Sequence, residues 1–525
     1  MLVDHFLAAS ASRLPDKVAL VCGNRRLTYR EVDQSARALA DALRRLGVNR
    51  GDRVATYLEN SVEAVIAIFG ILRAGATFVP IGPTVKCDKL AYILRDCEAV
   101  ALITGQHATQ TVADALAQAP GVKVTLVVGN SVQALIQKTG RVTVSFESAV
   151  QEVAAPLAQP ARIDLDLAAI VYTSGSTAQP KGVTLTHLNM VAAAASIGDY
   201  LANTPDDVIL SVLPLSFDYG LYQVFLAFRA GARLILEPSF IYTTVLLDRL
   251  VQERVTGLPI VPMLAVFLLK YDLSAYDMSL RYITNTGGAL PPAHTFLLRE
   301  RFPQTRIFSM YGLTECKRVS FLRPEEIDAR PTSVGKPMDN VEVFVAGEDG
   351  VLRTSGVGEL VIRGSNVMQG YWRSPEETAR VLKPGPLPGE SLLYSGDLFR
   401  IDEDGYMYFQ SRLDDVIKSR GQRVSPKEVE NVIYELPGVI AVSVVGVPDI
   451  TQGNFIKAVA YLDEGVVLSK QDIIRHCAQR LEDFMVPQVV EFVRSAPTTD
   501  SGKLHRRLMA SQSNQGDQSQ MQASA

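Results

Sequence analysis

Between residues 28 and 173 the chain swings between two hydrophobic periods, and this alternation narrows the possible folds more than any other feature. Thr28 and Glu31 have capping-box spacing, and Val32, Ala36, Leu39, Ala40 and Leu43 recur at helical spacing until Gly47 stops the pattern. Strand-like Val54–Leu58, helical Val62–Arg73 and strand-like Thr77–Ile81 follow. Val100–Thr104, Val124–Val128 and Ala169–Thr173 are further buried-strand candidates. Strands alternating with helices predict an α/β chain with parallel sheets flanked by helices.

The pattern changes after about Ser333. Val341–Val345, Gly358–Ile362 and Tyr406–Phe409 read as shorter strands parted by Gly, Asp and Pro turns. From about Asp415 a new unit reads as helix Pro426–Glu435, strands Val439–Val447 and Ile456–Leu462, and helix Lys470–Arg480. It has the size of a small α+β domain of about 100 residues. Ser511 to Ala525, rich in Gln and Ser, reads as a disordered tail.

With 525 residues the chain can bury a large core in more than one domain. A formal net charge of −4 gives no electrostatic reason to expect a nucleic-acid partner. The five cysteines contain no Cys-x-x-Cys pair, and the six histidines do not group at metal-ligand spacing, so neither a disulfide frame nor a structural zinc site is expected. Met1 to Leu20 holds no uninterrupted apolar signal segment. Gly257–Leu269, the most apolar stretch, is broken by Pro259 and Pro262 and is shorter than the roughly 18 residues of a membrane span. These features predict a soluble cytoplasmic protein.

Ile170–Val183 (IVYTSGSTAQPKGV) runs from a buried strand into hydroxyls and glycine, then Pro180, Lys181 and Gly182. Backbone amides and the hydroxyls of Thr173, Ser174, Ser176 and Thr177 can cradle phosphate oxygens, with Lys181 supplying positive charge. Gly175 allows close approach of the backbone to an anion. Lys181 follows Gly175 after five residues, which is not Walker spacing. Read alone, the segment favours a phosphate loop over the alternative of a Ser/Thr-rich surface loop.

This segment resembles the phosphate loop of the acyl- and aminoacyl-adenylate-forming superfamily, which includes acyl-CoA synthetases, peptide-synthetase adenylation domains and luciferases. Ala178 stands where glycine is more usual. Further resemblance lies in Leu72–Pro83 (LRAGATFVPIGP), Asn285–Leu290 (NTGGAL), Tyr311–Glu315 (YGLTE), Tyr394–Leu398 (YSGDL), Ser411–Lys418 (SRLDDVIK) and Thr499–Arg506 (TDSGKLHR), spanning about residues 5 to 508. It implies a large N-terminal domain (1–413) of two helix-flanked sheets plus a small β-barrel-like subdomain. A small mobile α+β domain (414–510) and the tail (511–525) follow.

It also implies roles. Gly287, Gly288 and Ala289 would line adenine and Tyr311 would pack on it. Thr314 would contact the α-phosphate, Glu315 would bind Mg²⁺, and Asp397 and Arg412 would hold the ribose. Asp414 would be the hinge and Lys503 the lysine that neutralises the carboxylate and α-phosphate. Ser411 replaces a usual glycine, and Asn454 lies where many relatives have Glu.

The implied reaction joins ATP to a small carboxylic acid, giving an acyl-AMP and pyrophosphate. The acyl group then passes to coenzyme A or to the phosphopantetheine arm of an acyl or peptidyl carrier protein. Arg420, Gly421, Gln422 and Arg423 lie where similar enzymes pass that arm. Phe217, Asp218, Gly220 and Val261 would shape the acid pocket. Asp218 has two readings at this stage: structural, as in fatty-acyl relatives, or a partner for a substrate ammonium. The apolar neighbours Leu221, Val224 and Phe225 lean toward an acyl substrate.

Overall fold

A computed structural model describes residues 1–151, 158, 160–173, 179–237, 243–273, 276–419, 422–449, 453–497 and 509. The expected capping box forms. Thr28 N donates to Glu31 Oε2 at 2.7 Å, and Glu31 N donates to Thr28 Oγ1 at 3.2 Å, starting the helix Tyr29–Arg45. That helix packs on Val62–Arg73 so closely that a Cβ at Gly70 would lie 2.7 Å from Leu39 Cδ2. The helix Val62–Arg73 lies against Arg53–Tyr57 and Thr77–Ile81 of the first sheet, and Tyr29–Arg45 against Val18–Cys22 and Arg25–Thr28 of the second.

Among the described residues the first sheet has eight strands. Thr77–Ile81, Arg53–Tyr57, Ala99–Gly105, Val124–Val128 and Val142–Ser145 run parallel to Leu167–Thr173. Lys181–Thr186 turns back antiparallel on Leu167–Thr173, and Gly370–Tyr371 adds the edge. A second, nine-stranded sheet is parallel from Val18–Cys22 through Arg233–Leu236, Val208–Ser211, Gly257–Ile260, Tyr282–Asn285 and Arg306–Tyr311. Ser320–Leu322 and Lys336–Pro337 close it antiparallel at one edge, as Arg25–Thr28 does at the other.

The subdomain expected as barrel-like is a six-stranded antiparallel sheet. Its longest strand, Ser391–Ile401, pairs with both Gly356–Gly364 and Met407–Arg412. Ser411 sits inside the last of these strands opposite Leu398 and is 2% exposed, so a side chain is accommodated where a glycine turn was anticipated.

Leu413–Asp415 is a single turn, beyond which lies a separate core around Ile417, Val429, Val444, Ala458 and Ile473. This small unit meets the large one at several points among the described residues. Lys270 Nζ pairs with Asp463 at 2.7 Å, and Ser425 Oγ donates to Gln410 O at 2.5 Å. The ring of His294 stands edge-on to Tyr434 at 5.4 Å. Val266 joins Ile440, Ala441, Val459 and Met509 in a small apolar cluster. Burial holds the His294 imidazole down at about 4, so it is neutral near pH 7. The five cysteines are free thiols. Among the described residues no helix is long and apolar enough to cross a membrane.

Candidate active site

Strand register determines where the phosphate loop begins and ends. Thr173 and Lys181 are cross-strand partners, so the two ends of this segment stand side by side in the first sheet. Gly182 is needed for packing, since a Cβ there would lie 2.8 Å from Ile170 Cγ2 and 3.1 Å from the Tyr172 ring. The ammonium of Lys181 pairs with the carboxylate of Glu377 and lies 5.3 Å from the Tyr371 ring centre. The lysine holds the Glu377 carboxyl below the ordinary range. Tyr371 donates its hydroxyl to Glu315 Oε1 at 2.8 Å, and Glu315 O accepts from Met368 N at 2.8 Å. Lys181, Tyr371, Glu377 and Glu315 therefore form one polar group, with the tyrosine between the loop lysine and the glutamate.

A second group stands beside it. The Tyr311 hydroxyl donates to Asp397 Oδ2, and Arg412 Nε lies 2.9 Å from Asp397 Oδ1. Cross-strand pairing of Asp397 with Arg412 produces the ion pair directly. Burial pushes the Asp397 carboxyl up, while Arg412 and the Tyr311 hydroxyl pull it back. Phe399 meets the Tyr311 ring edge-on at 4.7 Å, and Phe409 lies 6.4 Å away, holding the ring in place.

Between these groups the chain from Gly312 to Arg318 doubles back sharply. Lys317 N donates to Leu313 O at 2.6 Å, and Val319 N to Tyr311 O at 3.0 Å. A Cβ at Gly312 would lie 2.1 Å from Lys317 O, so only glycine fits the return. Lys317 takes a left-handed backbone, φ 72°. The return tucks two cations under the Tyr-Gly-Leu-Thr-Glu segment, Lys317 and Arg318, which are 6% and 5% exposed. Lys317 Nζ lies 3.1 Å from Asp218 Oδ2 and 4.1 Å from the Tyr222 ring centre. Burial brings the Lys317 ammonium down to about 8 despite Asp218.

These side chains face a cavity of about 30 Å³. Its walls come from Ile197, Phe217–Tyr219, Tyr222, Thr286–Gly287, Gly312–Thr314 and Lys317–Arg318.

The sequence candidates divide accordingly. Thr314, Gly287, Phe217 and Asp218 line the cavity. Gly288 and Ala289 are exposed on the same loop, which Asn285 steadies by donating to Gly288 O at 3.0 Å. Gly220 does not line the cavity; a Cβ there would lie 2.3 Å from Pro214 O, so it is demanded by the close start of the helix Asp218–Ala230. Val261 is wholly buried ahead of the helix Pro262–Leu269 and also lies off the lining. Asp414 is exposed in its single turn. Ser174, Gly175, Ser176, Thr177, Ala178, Arg420, Gly421 and Lys503 lie outside the described residues. Sequence reasoning passed over Tyr371, Glu377, Lys317 and Arg318. Lys317 and Arg318 carried a signal, two adjacent cations entering an apolar strand; Tyr371 and Glu377 carried none.

Magnesium requires hard oxygen ligands and usually takes only one or two protein carboxylates, with substrate phosphates and water completing its shell. Glu315, oriented by Tyr371, fits that use. Among the described residues no group of three or more His, Cys, Asp or Glu forms a self-sufficient metal cage.

The model of the AMP-binding enzyme family matches residues 7–372, and that of the AMP-binding enzyme C-terminal domain matches residues 428–503. A long-chain-fatty-acid–CoA ligase of Bacillus subtilis is 30% identical, over 97% of this chain and 94% of that protein. Surfactin synthase subunit 3 of Bacillus subtilis is 32% identical over 94% of this chain, which spans 37% of that much longer protein. Among solved structures, the anthranilate CoA ligase AuaEII in complex with anthranoyl-AMP superposes with a TM-score of 0.88. It is 27% identical, with 98% of this chain and 97% of that one covered. Through both matched segments and this fold, the chain belongs to the AMP-binding, adenylate-forming enzymes, ligases that activate an acid as its acyl-AMP for transfer to a thiol.

Proposed function

We propose that this enzyme activates a small carboxylic acid rather than a long acyl chain, and passes it to coenzyme A or to a phosphopantetheinyl carrier protein. The observation that carries the substrate size is the cavity. At about 30 Å³, walled by Phe217, Tyr219 and Tyr222, it suits a small polar group better than an alkyl chain. Asp218 is engaged by Lys317 at 3.1 Å, which favours a plain acid over an amino acid whose ammonium would need that carboxylate.

The chain's own residues account for the first step. Asp397, positioned by Arg412 and Tyr311, accepts hydrogen bonds from the ribose hydroxyls. Lys181 and Thr173, at the two ends of the loop, take phosphate oxygens. The substrate carboxylate attacks the α-phosphorus, a bond forms between carboxylate oxygen and phosphorus, and pyrophosphate leaves with its electron pair. Two anions must meet, so the catalytic task is positioning and charge neutralisation, which falls to Lys503 with Thr314. Magnesium held at Glu315 would supply further neutralisation of the phosphates. In the second step the thiol sulfur bonds to the acyl carbon and AMP departs. The single turn at Asp414 between the two units suits a rotation that exposes the acyl-AMP to the thiol.

Product analysis tests the reading. Incubating the full chain with ATP, Mg²⁺ and a panel of short acids should give AMP and pyrophosphate in equal amounts, and adding coenzyme A or a carrier protein should yield a thioester. Formation of ADP and phosphate instead would overturn it.

A further inference from the structure

The cavity contains more positive charge than its own residues neutralise. Lys317 and Asp218 form a pair with no net charge. Arg318 is 5% exposed and lines the same cavity, its guanidinium 5.4 Å from the Tyr219 ring centre. Tyr200 touches the guanidinium, but Arg318 Nε and Nη1 find no protein acceptor. Its backbone is pinned, because Asn366 Nδ2 donates to Arg318 O at 2.8 Å and to Cys316 O at 2.6 Å. The main chain is therefore fixed where this buried side chain leaves it.

A buried cation lacking its acceptors is costly, and a guanidinium presents donors spaced to grip a planar anion. Lys503 and Thr314 are already assigned to the reacting carboxylate. Arg318 instead sits with Tyr219 on the helix Asp218–Ala230, whose tyrosine hydroxyl is anchored to Thr284 O at 2.7 Å. Asp218 would repel an anion here if it stood alone, and Lys317 cancels that repulsion. The small volume limits how far such an anion can stand from the reacting carboxylate.

We propose that this chamber selects short acids bearing a second anionic group, such as dicarboxylates, with Arg318 gripping that group and the Lys317–Asp218 pair keeping the chamber neutral around it. The inference rests on the adenylation reading above and adds the substrate class. No covalent chemistry is assigned to Arg318; it is a specificity-determining residue.

The experiment compares AMP formation by the full chain with malonate, succinate and glutarate against propionate, butyrate and valerate. It uses the wild type, Arg318→Gln and Arg318→Lys, with ATP binding measured calorimetrically in each. The readout is the ratio of diacid to monoacid kcat/KM. The wild type should favour the diacids by about 10⁴-fold, as expected when a buried polar site is left unpaired by the wrong substrate. Arg318→Gln should collapse that ratio, and Arg318→Lys should keep part of it. A wild-type ratio at or below one would overturn the proposal. So would a ratio unchanged in Arg318→Gln, since arginine would then be structural or would act on the reacting carboxylate. If ATP binds but neither acid series is activated, the diacid proposal falls alone; if no ATP binds, the adenylation reading falls with it.

Discussion

Lys317 offers a sharp test of the electrostatics under the active-site return. Its ammonium is brought from 10.5 to about 8, chiefly by burial, with Asp218 opposing. At about 1.4 kcal/mol per pH unit, the charged form costs the folded state about 3 kcal/mol. Below pH 8 both folded and unfolded chains hold the proton, and the whole cost stands. Between 8 and 10.5 the unfolded chain keeps a proton that the folded one has released, so stability rises with pH. Integrated from pH 7 to 10, this one group should contribute about 2 to 3 kcal/mol of added stability.

The perturbation is Lys317→Met, and the assay is urea unfolding of wild type and variant at half-unit steps across that range. Removing the lysine also changes what Asp218 experiences, so the offset at any one pH mixes two effects. The difference between the two pH curves isolates the titration. It should grow by about 1.4 kcal/mol per pH unit above pH 8 and respond little to salt, because the pair is buried. Parallel curves would refute the reasoning and place the ammonium in contact with water.

Three other outcomes are expected. Lys503→Ala should lower AMP formation by at least about 100-fold while calorimetry still detects ATP binding; undiminished AMP formation would remove the lysine from the reaction. Tyr371→Phe deletes the hydroxyl that donates to Glu315, a loss of about 1 kcal/mol, so half-saturation by Mg²⁺ should rise about fivefold in a titration of AMP formation. Asp397 is held above the ordinary carboxylate range, so on acidification it should take up its proton earlier than a surface aspartate. The KM for ATP should accordingly climb on acidification, at a higher pH than a surface aspartate would dictate, in the wild type and stay flat, at a raised value, in Asp397→Asn.

The alternating half of the chain was legible because each element declared itself locally. Val62–Arg73, Thr77–Ile81 and Val124–Val128 have the bounds their periodicity predicts. The boundaries that moved are ends: the helix anticipated to Glu435 stops at Ile433, and the strand anticipated from Ile456 starts at Gly453. Strand pairing extends edges in ways that side-chain pattern does not encode. In the site, Asp397 with Arg412 and Thr173 with Lys181 were in hand as separate candidates, and cross-strand register brings each pair together. What could not be read were encounters across long stretches of chain. Glu377 reaches Lys181 from 196 positions away, and nothing in either local sequence announces the other. Gly220 shows the opposite case, a plausible pocket residue whose identity is set by the Pro214 carbonyl behind it.

The pairing of Lys181 with Glu377 has a consequence for how nucleotide enters. A bare ammonium waiting at the loop would have to shed water each time a phosphate arrived, and any stray anion could settle on it. Here the lysine is held by a tethered counter-ion, so on the proposed role of Lys181 ATP would bind by exchange, a phosphate oxygen replacing the Glu377 carboxylate. A singly charged anion gains little by displacing a carboxylate already at hand, whereas a polyphosphate gripping the loop at several points can. On the proposed role of Lys181, Glu377 on the helix Pro375–Val381 would thereby favour polyphosphates over singly charged anions.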